Sequence, residues 1–291
     1  MRRETWGWLF ISPWLVGFLV FALGPMLASF WLSLNKYDLY QMEFVGAENY
    51  RRLLTQDPLF WKSLTNTLIY TFFAVPLGMV GSLAIAILLN QKVRGQQIFR
   101  TLFYLPSLVP GVASALLWMW LLNSENGLVN YWMSLVGVAG PKWLEDPSWT
   151  LPAFIMMSLW GIGGGRMIIF LAGLQGISET YYEASKIDGA SPWQRFRWIT
   201  IPLLTPTIFF NLIIGFIGSF QVFTSAYIMT GGGPDNASLF YALYLFRNAF
   251  EYFKLGKASA MAWILFAILL VFTIAQFKHA ARWVHYEGAE A

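Results

Sequence analysis

Six long and almost uncharged apolar runs restrict the fold of this 291-residue chain more than any other feature. They cover about residues 7–34, 63–90, 100–123, 149–175, 202–230 and 258–278. As a helix, a run of about 20 residues matches the ~30 Å hydrocarbon core of a bilayer. The runs lack the alternation of outer-membrane strands, and backbone amides in lipid need partners within their own segment. The sequence therefore predicts an all-α integral membrane protein with six transmembrane helices.

The overall composition agrees with a membrane protein of this kind. Hydrophobic residues make up 57% of the chain and charged residues 12%, whereas soluble domains are roughly a quarter charged. The formal net charge of +4 is small and gives no reason to expect a nucleic-acid partner. The absence of cysteine excludes disulfides and thiolate metal sites, and no other metal site is expected. We expect one transmembrane domain over residues 1–291.

The distribution of Lys and Arg predicts the orientation in the membrane. Basic residues slightly favour the side that holds both termini, where the N-terminus and the first short loop carry Arg2, Arg3, Lys92, Arg94 and Arg100. Because cytoplasmic loops are enriched in Lys and Arg, both termini are predicted to be cytoplasmic. The polar segment between the fourth and fifth runs then also faces the cytoplasm.

That polar segment, residues 178–201, has the pattern of two short helices joined by a turn. Ser178 suits a helix N-terminus, and Gly189 suits the left-handed position that ends a helix. Ser191, Pro192 and Gln194 match a capping box that starts a second helix. From these residues alone, an amphipathic hairpin lying in the lipid headgroups and a protein-docking element are equally good interpretations.

The spacing of the same segment resembles the EAA signature of bacterial ABC-importer permeases. The matching residues are Glu183-Ala184-Ser185, Gly189 and Ile199-Thr200-Ile201-Pro202, with Ser in place of the second Ala and Ile in place of Leu. Other stretches resemble landmarks of sugar permeases: 44–50 (FVGAENY), Asn66-Thr67, 171–175 (LAGLQ) and 231–234 (GGGP). Nearly the whole chain is similar to the carbohydrate uptake type 1 family, on the MalF-like rather than the MalG-like side.

This resemblance implies a type I importer core and a set of partners. They are a second, MalG-like permease subunit, two copies of a cytoplasmic ATP-binding subunit and an extracytoplasmic sugar-binding protein, in a prokaryotic cytoplasmic membrane. ATP and Mg²⁺ would bind in the ATPase subunits, so this chain would need no cofactor and would not be an enzyme. The residues that the resemblance assigns to the coupling helix are Glu183, Ala184, Ser185, Asp188, Gly189, Trp193 and Phe196.

The sequence contains no ATP-hydrolysis motif. No G-x-x-x-x-G-K-[ST] phosphate loop occurs in the chain, so the energy must come from another subunit or an ion gradient. An ion-coupled secondary transporter is the alternative, and such proteins usually carry carboxylates inside the membrane. Asp and Glu are absent from the interior of all six runs, where Arg166 is the one deeply placed charge. This pattern favours the importer.

The fourth run contains the stretch Trp160-Gly161-Ile162-Gly163-Gly164-Gly165-Arg166. Glycine weakens a helix by roughly 0.5–1 kcal/mol relative to alanine, so the cluster needs an explanation. One interpretation is close helix packing through Gly161 and Gly165. The other is a distorted segment that exposes backbone to a substrate.

The fifth run offers a second candidate surface, since Gly215, Ser219 and Val222 share a helical face. The resemblance to maltose permease implies a sugar site formed by both runs, at Trp160, Gly161, Ile162, Gly165, Gly215, Ser219, Val222 and Thr224, and Gln221 adds polarity nearby. Gly165, Ser219 and Val222 depart from the family's residues, so the resemblance does not extend to maltose itself and leaves a different or bulkier sugar open. Arg166 either contacts the substrate or bonds helix-end carbonyls.

Overall fold

The computed structural model describes residues 3–38, 40–91, 94–280 and 282–285, and these are mostly helical. Arg2 and Lys92, which contributed to the predicted orientation, lie outside the described residues. The first seven helices are α1 (Arg3–Phe18), α2 (Gly24–Ser33), α3 (Glu48–Gln56), α4 (Pro58–Asn90), α5 (Gln96–Tyr104), α6 (Gly111–Leu121) and α7 (Leu128–Leu135). A short antiparallel hairpin that the sequence did not predict pairs β1 (Asn35–Tyr37) with β2 (Met42–Phe44).

The remaining helices follow after residue 146. They are α8 (Pro147–Leu159), α9 (Gly165–Gly176), α10 (Glu179–Ile187), α11 (Pro192–Arg195), α12 (Ile201–Leu203), α13 (Thr205–Ser219), α14 (Thr224–Met229), α15 (Tyr241–Phe246) and α16 (Leu255–Ala280). Single π-helical turns occupy Leu19–Leu23, Phe196–Thr200 and Arg247–Glu251, and a 3₁₀ turn occupies Leu105–Leu108.

Within the described residues, four helical stretches are long and apolar enough to cross a membrane. They are Gly7–Ser33, Pro58–Asn90, Thr205–Met229 and Leu255–Ala280. These stretches coincide within a few residues with the predicted first, second, fifth and sixth runs. The prediction of a helical membrane protein is therefore confirmed.

The third predicted run, 100–123, is bent rather than straight. Gln96–Leu108 and Gly111–Leu121 meet at 93°, and only together are they long and apolar enough to cross a membrane. Pro106 lies in the 3₁₀ turn and Pro110 immediately precedes α6. Since proline lacks an amide hydrogen and disfavours helix in the residue before it, the two prolines account for the break.

The fourth predicted run, 149–175, consists of two shorter helices. Residues between Leu159 and Gly165 form turns, so α8 and α9 are separate elements of 13 and 12 residues. By length and composition, the described residues contain four spans, or five with the bent pair. The fourth of the six runs is therefore present but interrupted.

The chain divides into two compact units. The first contains the residues up to Trp61 together with Tyr244–Leu269. Within it, the Asn49 side-chain amide donates to the carbonyls of Ser33 (2.8 Å) and Asn35 (2.9 Å). The Tyr50 hydroxyl lies 2.7 Å from that of Ser33. These bonds hold α3 against the end of α2. They give Asn49 and Tyr50 of the 44–50 landmark a structural role.

The second unit contains Lys62–Leu243 and the residues from Leu270 onward. Its core packs one face of α4 against α9 and the end of α12, through Ile85, Ala86, Leu89, Met167, Phe170, Leu171, Leu174 and Leu204. Asn66 donates to the Asn236 carbonyl (2.8 Å), and Thr67 accepts from the Tyr241 amide (2.9 Å). The Asn66-Thr67 landmark therefore anchors the turn-rich segment that follows α14.

Candidate functional site

The glycine-rich break between α8 and α9 is the first element of the candidate site. Its backbone follows tight turns, with the Ile162 amide donating to Leu159 (3.3 Å) and the Gly164 amide to Gly161 (3.0 Å). The Ser82 hydroxyl on α4 donates to the Ile162 carbonyl at 2.7 Å. A hydroxyl on a neighbouring helix thus satisfies a carbonyl that the break removes from the helical pattern. The helix is thus distorted here, as one of the two interpretations of the glycine cluster requires.

The glycines of the break have different surroundings. A Cβ on Gly163 would collide with the backbone of Phe103, and one on Gly164 would lie 2.9 Å from Cβ of Ser107. In contrast, a Cβ on Gly165 would meet nothing within 4 Å. The predicted close packing is therefore real but was assigned to the wrong glycines. Gly163 and Gly164 make it, because their side of the turn faces the bent segment Gln96–Leu108.

A cavity of about 280 Å³ opens beside this break, inside the second unit. Its lining from α4 is Tyr70, Ala74, Val75, Gly78 and Ser82. The α8 helix, the break and α9 contribute Ser158, Gly161, Ile162 and Arg166. The α13 helix and the residues after it contribute Ile214, Gly215, Gly218, Ser219 and Val222. The volume is close to the lower end of the range for small-ligand sites, ~300–1,000 Å³.

The Arg166 guanidinium reaches into this cavity between two glycines. A Cβ on Gly78 would lie 2.5 Å from Nη1, and one on Gly215 would lie 3.0 Å from Nη2. The Tyr70 hydroxyl is the ionisable neighbour close enough to interact with its charge. Among the described residues, no carboxylate lies within ion-pair distance of Arg166. The two glycines provide the space that the guanidinium fills.

The structure brings together most of the predicted substrate residues, but not all of them. Those that line the cavity are Gly161, Ile162, Arg166, Gly215, Ser219 and Val222. The others, Trp160, Gly165, Gln221 and Thr224, lie outside it. Trp160 packs edge-to-face on Trp118, with ring centroids 6.1 Å apart. The α13 helix ends at Ser219, so Gln221 and Thr224 leave the face that Gly215 and Ser219 share.

Sequence reasoning missed the contribution of α4. Ala74, Gly78 and Ser82 recur every four residues along the second apolar run, which places them on one helical face. That spacing of small residues was the available signal. Because such a stripe predicts a helix contact as readily as a cavity wall, only the fold shows which one it is.

The second element is the polar hairpin formed by α10 and α11. Gly189 has φ +76°, and its amide donates to the Lys186 carbonyl while the Ala190 amide donates to Ser185 (3.1 and 2.9 Å). This is the glycine-terminated helix end that the sequence predicted. Ser191 and Gln194 form the predicted reciprocal capping box. Both sides of the turn are thus fixed by hydrogen bonds.

The hairpin exposes a surface that combines charged and large apolar residues. Glu183, Ala184 and Asp188 are exposed, and so are Ile187 (88%) and Trp193 (69%). Ile187 was not among the predicted residues, although a large aliphatic residue beside the turn of a polar helix was a usable signal. Such large apolar exposure is typical of an interaction surface.

Two of the predicted coupling residues point inward instead. Ser185 is buried, and its hydroxyl donates to the Tyr182 carbonyl at 2.9 Å. Phe196 is half-buried and lines a cavity of about 470 Å³ with residues of α4, α9 and α10. Both residues therefore support the hairpin rather than form its outer face. The regular α-helix of the predicted second helix stops at Arg195, and residues 196–200 continue it as a π-helical turn.

Among the described residues, no group of three or more His, Asp or Glu side chains could hold a metal ion. The cavity has hydroxyls, a guanidinium and distorted backbone, which can bind a polar solute but form no nucleophile–base pair.

Comparison with known proteins places this geometry in a family. Residues 74–285 match the family described as "Binding-protein-dependent transport system inner membrane component". The probable ABC transporter permease protein YesP of Bacillus subtilis is 44% identical over 98% of this chain and 93% of its own length. The trehalose/maltose transport system permease protein MalF of Thermococcus litoralis is 36% identical over 95% and 94%, respectively.

A solved structure shares the fold. A chain of a bacterial alginate ABC transporter, crystallised in complex with a periplasmic protein bound to an alginate pentasaccharide, superimposes with a TM-score of 0.84. The two chains are 24% identical, and the match covers 96% of this chain and 95% of the other. The family match and the two relatives, which extend over the break, the cavity and the hairpin, show that this chain belongs to the binding-protein-dependent transport system inner membrane components.

Proposed function

We propose that this chain is the permease subunit of an ATP-driven ABC sugar importer and forms half of the translocation pathway. The other half would come from a second, MalG-like permease subunit. Two copies of an ATP-binding subunit would bind ATP and Mg²⁺ on the cytoplasmic side, and an extracytoplasmic protein would deliver the sugar. The trehalose/maltose relative supports a carbohydrate as the solute. The chain itself would have no catalytic activity.

The observation that carries this proposal is the exposed hairpin. Its turn is fixed by Gly189 and by the capping box, so α10 and α11 can move as one body. Its outer face presents Glu183, Ile187 and Trp193 to a partner. A rigid element with an acidic and apolar surface can transmit a displacement from a neighbouring subunit. We therefore assign ATPase coupling to this face, together with Ala184, Asp188 and Gly189.

The cavity supports transport of a polar solute through this subunit. Ser82, Ser158 and Ser219 place hydroxyls beside the glycine-rich break. The alternative, an ion-coupled transporter, needs a titratable carboxylate in the pathway. The described lining contains Arg166 as its one charged residue and no carboxylate. The lining therefore favours an importer driven by a partner subunit.

Coupling to a cytoplasmic ATPase requires that the hairpin face the cytoplasm of a prokaryotic cell, and both termini would then lie on the same side. The segment 231–236, anchored by Asn66, would then lie on the outer side, where the delivering protein docks.

Charge reversal at Glu183 tests the coupling role. We expect Glu183→Lys to lower sugar uptake and sugar-stimulated ATP hydrolysis by roughly tenfold or more, because it removes an anionic contact and adds a repulsive charge. Both rates would be measured in the reconstituted importer. Glu179→Lys is the matched control, since Glu179 is an exposed acid one turn earlier on α10. If the importer with Glu183→Lys shows the same sugar-stimulated ATP hydrolysis as wild type, the hairpin is not the coupling element.

A further inference from the structure

The cavity contains one cationic group, which binding of a neutral sugar through its hydroxyls would not require. Arg166 lies in a lining that is otherwise apolar, glycine or hydroxyl-bearing. The structure accommodates its guanidinium with two glycines on two helices, Gly78 and Gly215. An arginine with a purely structural role at a helix end would donate hydrogen bonds to the free carbonyl oxygens there. No such bond from Arg166 occurs in the part of the chain that the structure describes.

The hydroxyl groups around Arg166 are already engaged with the protein. Ser82 donates to the Ile162 carbonyl (2.7 Å), and Ser158 donates to the Ile155 carbonyl (2.6 Å). Ser219 donates to the Phe216 carbonyl (2.7 Å) and lies 2.8 Å from the Thr71 hydroxyl. The hydrogen-bond donors that remain for a ligand are therefore concentrated on the guanidinium.

The position of Arg166 is electrostatically unfavourable without a counter-charge. It lies in the first turn of α9, where the helix dipole disfavours a cation and favours an anion. Its partial removal from water adds a desolvation cost. A cation held in such a place needs an anionic partner, and the described residues supply none.

We infer that the solute carried through this cavity is an anionic sugar and that Arg166 binds its charged group. This inference rests on the proposed sugar-import function and narrows its substrate class. A planar carboxylate, as in a uronic acid, and a phosphate both accept the paired hydrogen bonds that a guanidinium offers. Gly78 and Gly215 then act as specificity-determining positions, because a side chain at either would displace the guanidinium.

Ligand-induced stabilisation of the purified complex tests this assignment without depending on the delivering protein. The melting temperature of the complex of both permease subunits and the ATPase subunits is measured with glucose, glucuronate, glucose 6-phosphate or acetate at equal ionic strength. A ligand that binds only the folded state raises Tm. We expect a rise with glucuronate or glucose 6-phosphate, whichever anionic group the site takes, and little with glucose or acetate.

Variants of Arg166 identify the group responsible. Arg166→Gln should weaken binding of the anionic sugar roughly tenfold or more, because hydrogen bonds to charged groups are lost. Arg166→Lys, which keeps the charge without the planar fork, should retain part of the response. Arg94→Gln removes an equivalent charge at an exposed position and should leave the response unchanged. An undiminished response in Arg166→Gln would overturn the assignment.

The ligand-free complex separates a ligand role from pairing with another subunit. If Arg166 has no counter-charge in the empty complex, Arg166→Gln should leave its Tm unchanged or raise it. A marked fall would show that a carboxylate of the second permease subunit already pairs with Arg166, and would overturn the inference. Sugar uptake is also measured in the reconstituted importer. If only neutral sugars raise Tm and are taken up, the solute is not anionic, whereas the sugar-import function is retained. No response to any sugar in either measurement would remove both.

Discussion

Individual glycines determine the shape of the candidate site at the residue scale. Gly163 and Gly164 allow the break to approach the bent third run, whereas Gly78 and Gly215 make room for Arg166. From the sequence, a distorted helix was one of two interpretations of the cluster at 161–165, because glycine is a poor helix former; close packing through Gly161 and Gly165 was the other. The assignment of close packing to Gly161 and Gly165 was wrong, since the glycines that pack closely depend on where the residues around Phe103 lie.

Matched alanine substitutions in the break distinguish a packed glycine from an open one. Gly163→Ala should destabilise the protein by about 1–3 kcal/mol, because its new methyl group would overlap the Phe103 backbone. Gly165→Ala should be neutral, since that position has open space around it. Melting temperatures in detergent measure both effects. Equal Tm values for the two variants would contradict the packing described for Gly163.

At the element scale, an ion pair joins helices that are distant in sequence. Asp57, between α3 and α4, accepts from the Lys257 ammonium of α16 (2.6 Å) and from the Tyr244 hydroxyl of α15 (2.8 Å). All three residues belong to the first unit. The Asp57 and Lys257 side chains are 13% and 25% exposed. The sequence contains no signal that pairs them, because 200 positions separate Asp57 from Lys257.

This pair makes the stability of the first unit depend on pH. Burial raises the pKa of Asp57, but the hydrogen bonds from Lys257 and Tyr244 outweigh it and hold the pKa below its ordinary value of 3.8. A carboxylate with a lowered pKa stabilises the fold above its ordinary pKa, and this contribution disappears as the pH falls through the lowered value.

Replacement of Asp57 should therefore matter at neutral pH and less in acid. We expect Asp57→Asn to lower stability on the order of 2 kcal/mol at pH 7, because it leaves Lys257 without its counter-charge. The difference from wild type should shrink as the pH falls below 3.8. Melting curves across pH measure it, with the exposed Glu125→Gln as control. A difference that persists unchanged in acid would exclude the ionised carboxylate as its source.

For the whole molecule, the decisive property is which side of the membrane each segment faces. The placement of Lys and Arg predicts cytoplasmic termini and a cytoplasmic hairpin. The proposed coupling to a cytoplasmic ATPase requires the same orientation. Because the chain has no cysteine, a single introduced cysteine is the one position of this chain that a thiol reagent can label.

Thiol labelling in intact cells tests this orientation. Glu125→Cys and Ile187→Cys both place the thiol at an exposed position. We expect a membrane-impermeant reagent to label Glu125→Cys in intact cells and Ile187→Cys only after permeabilisation. The permeabilised sample is the control for reactivity. The opposite pattern would invert the topology and place the hairpin outside the cytoplasm.

The sequence by itself determined the membrane class, the positions of the apolar runs and the capped turn of the hairpin. These features follow from local causes: apolar length, the missing amide of proline, the left-handed backbone at Gly189, and the reciprocal bonds of Ser191 and Gln194. The tertiary structure decided which of these residues meet. The cavity joins Gly78, Arg166 and Gly215 from three helices, and such contacts depend on helix positions that no local pattern encodes.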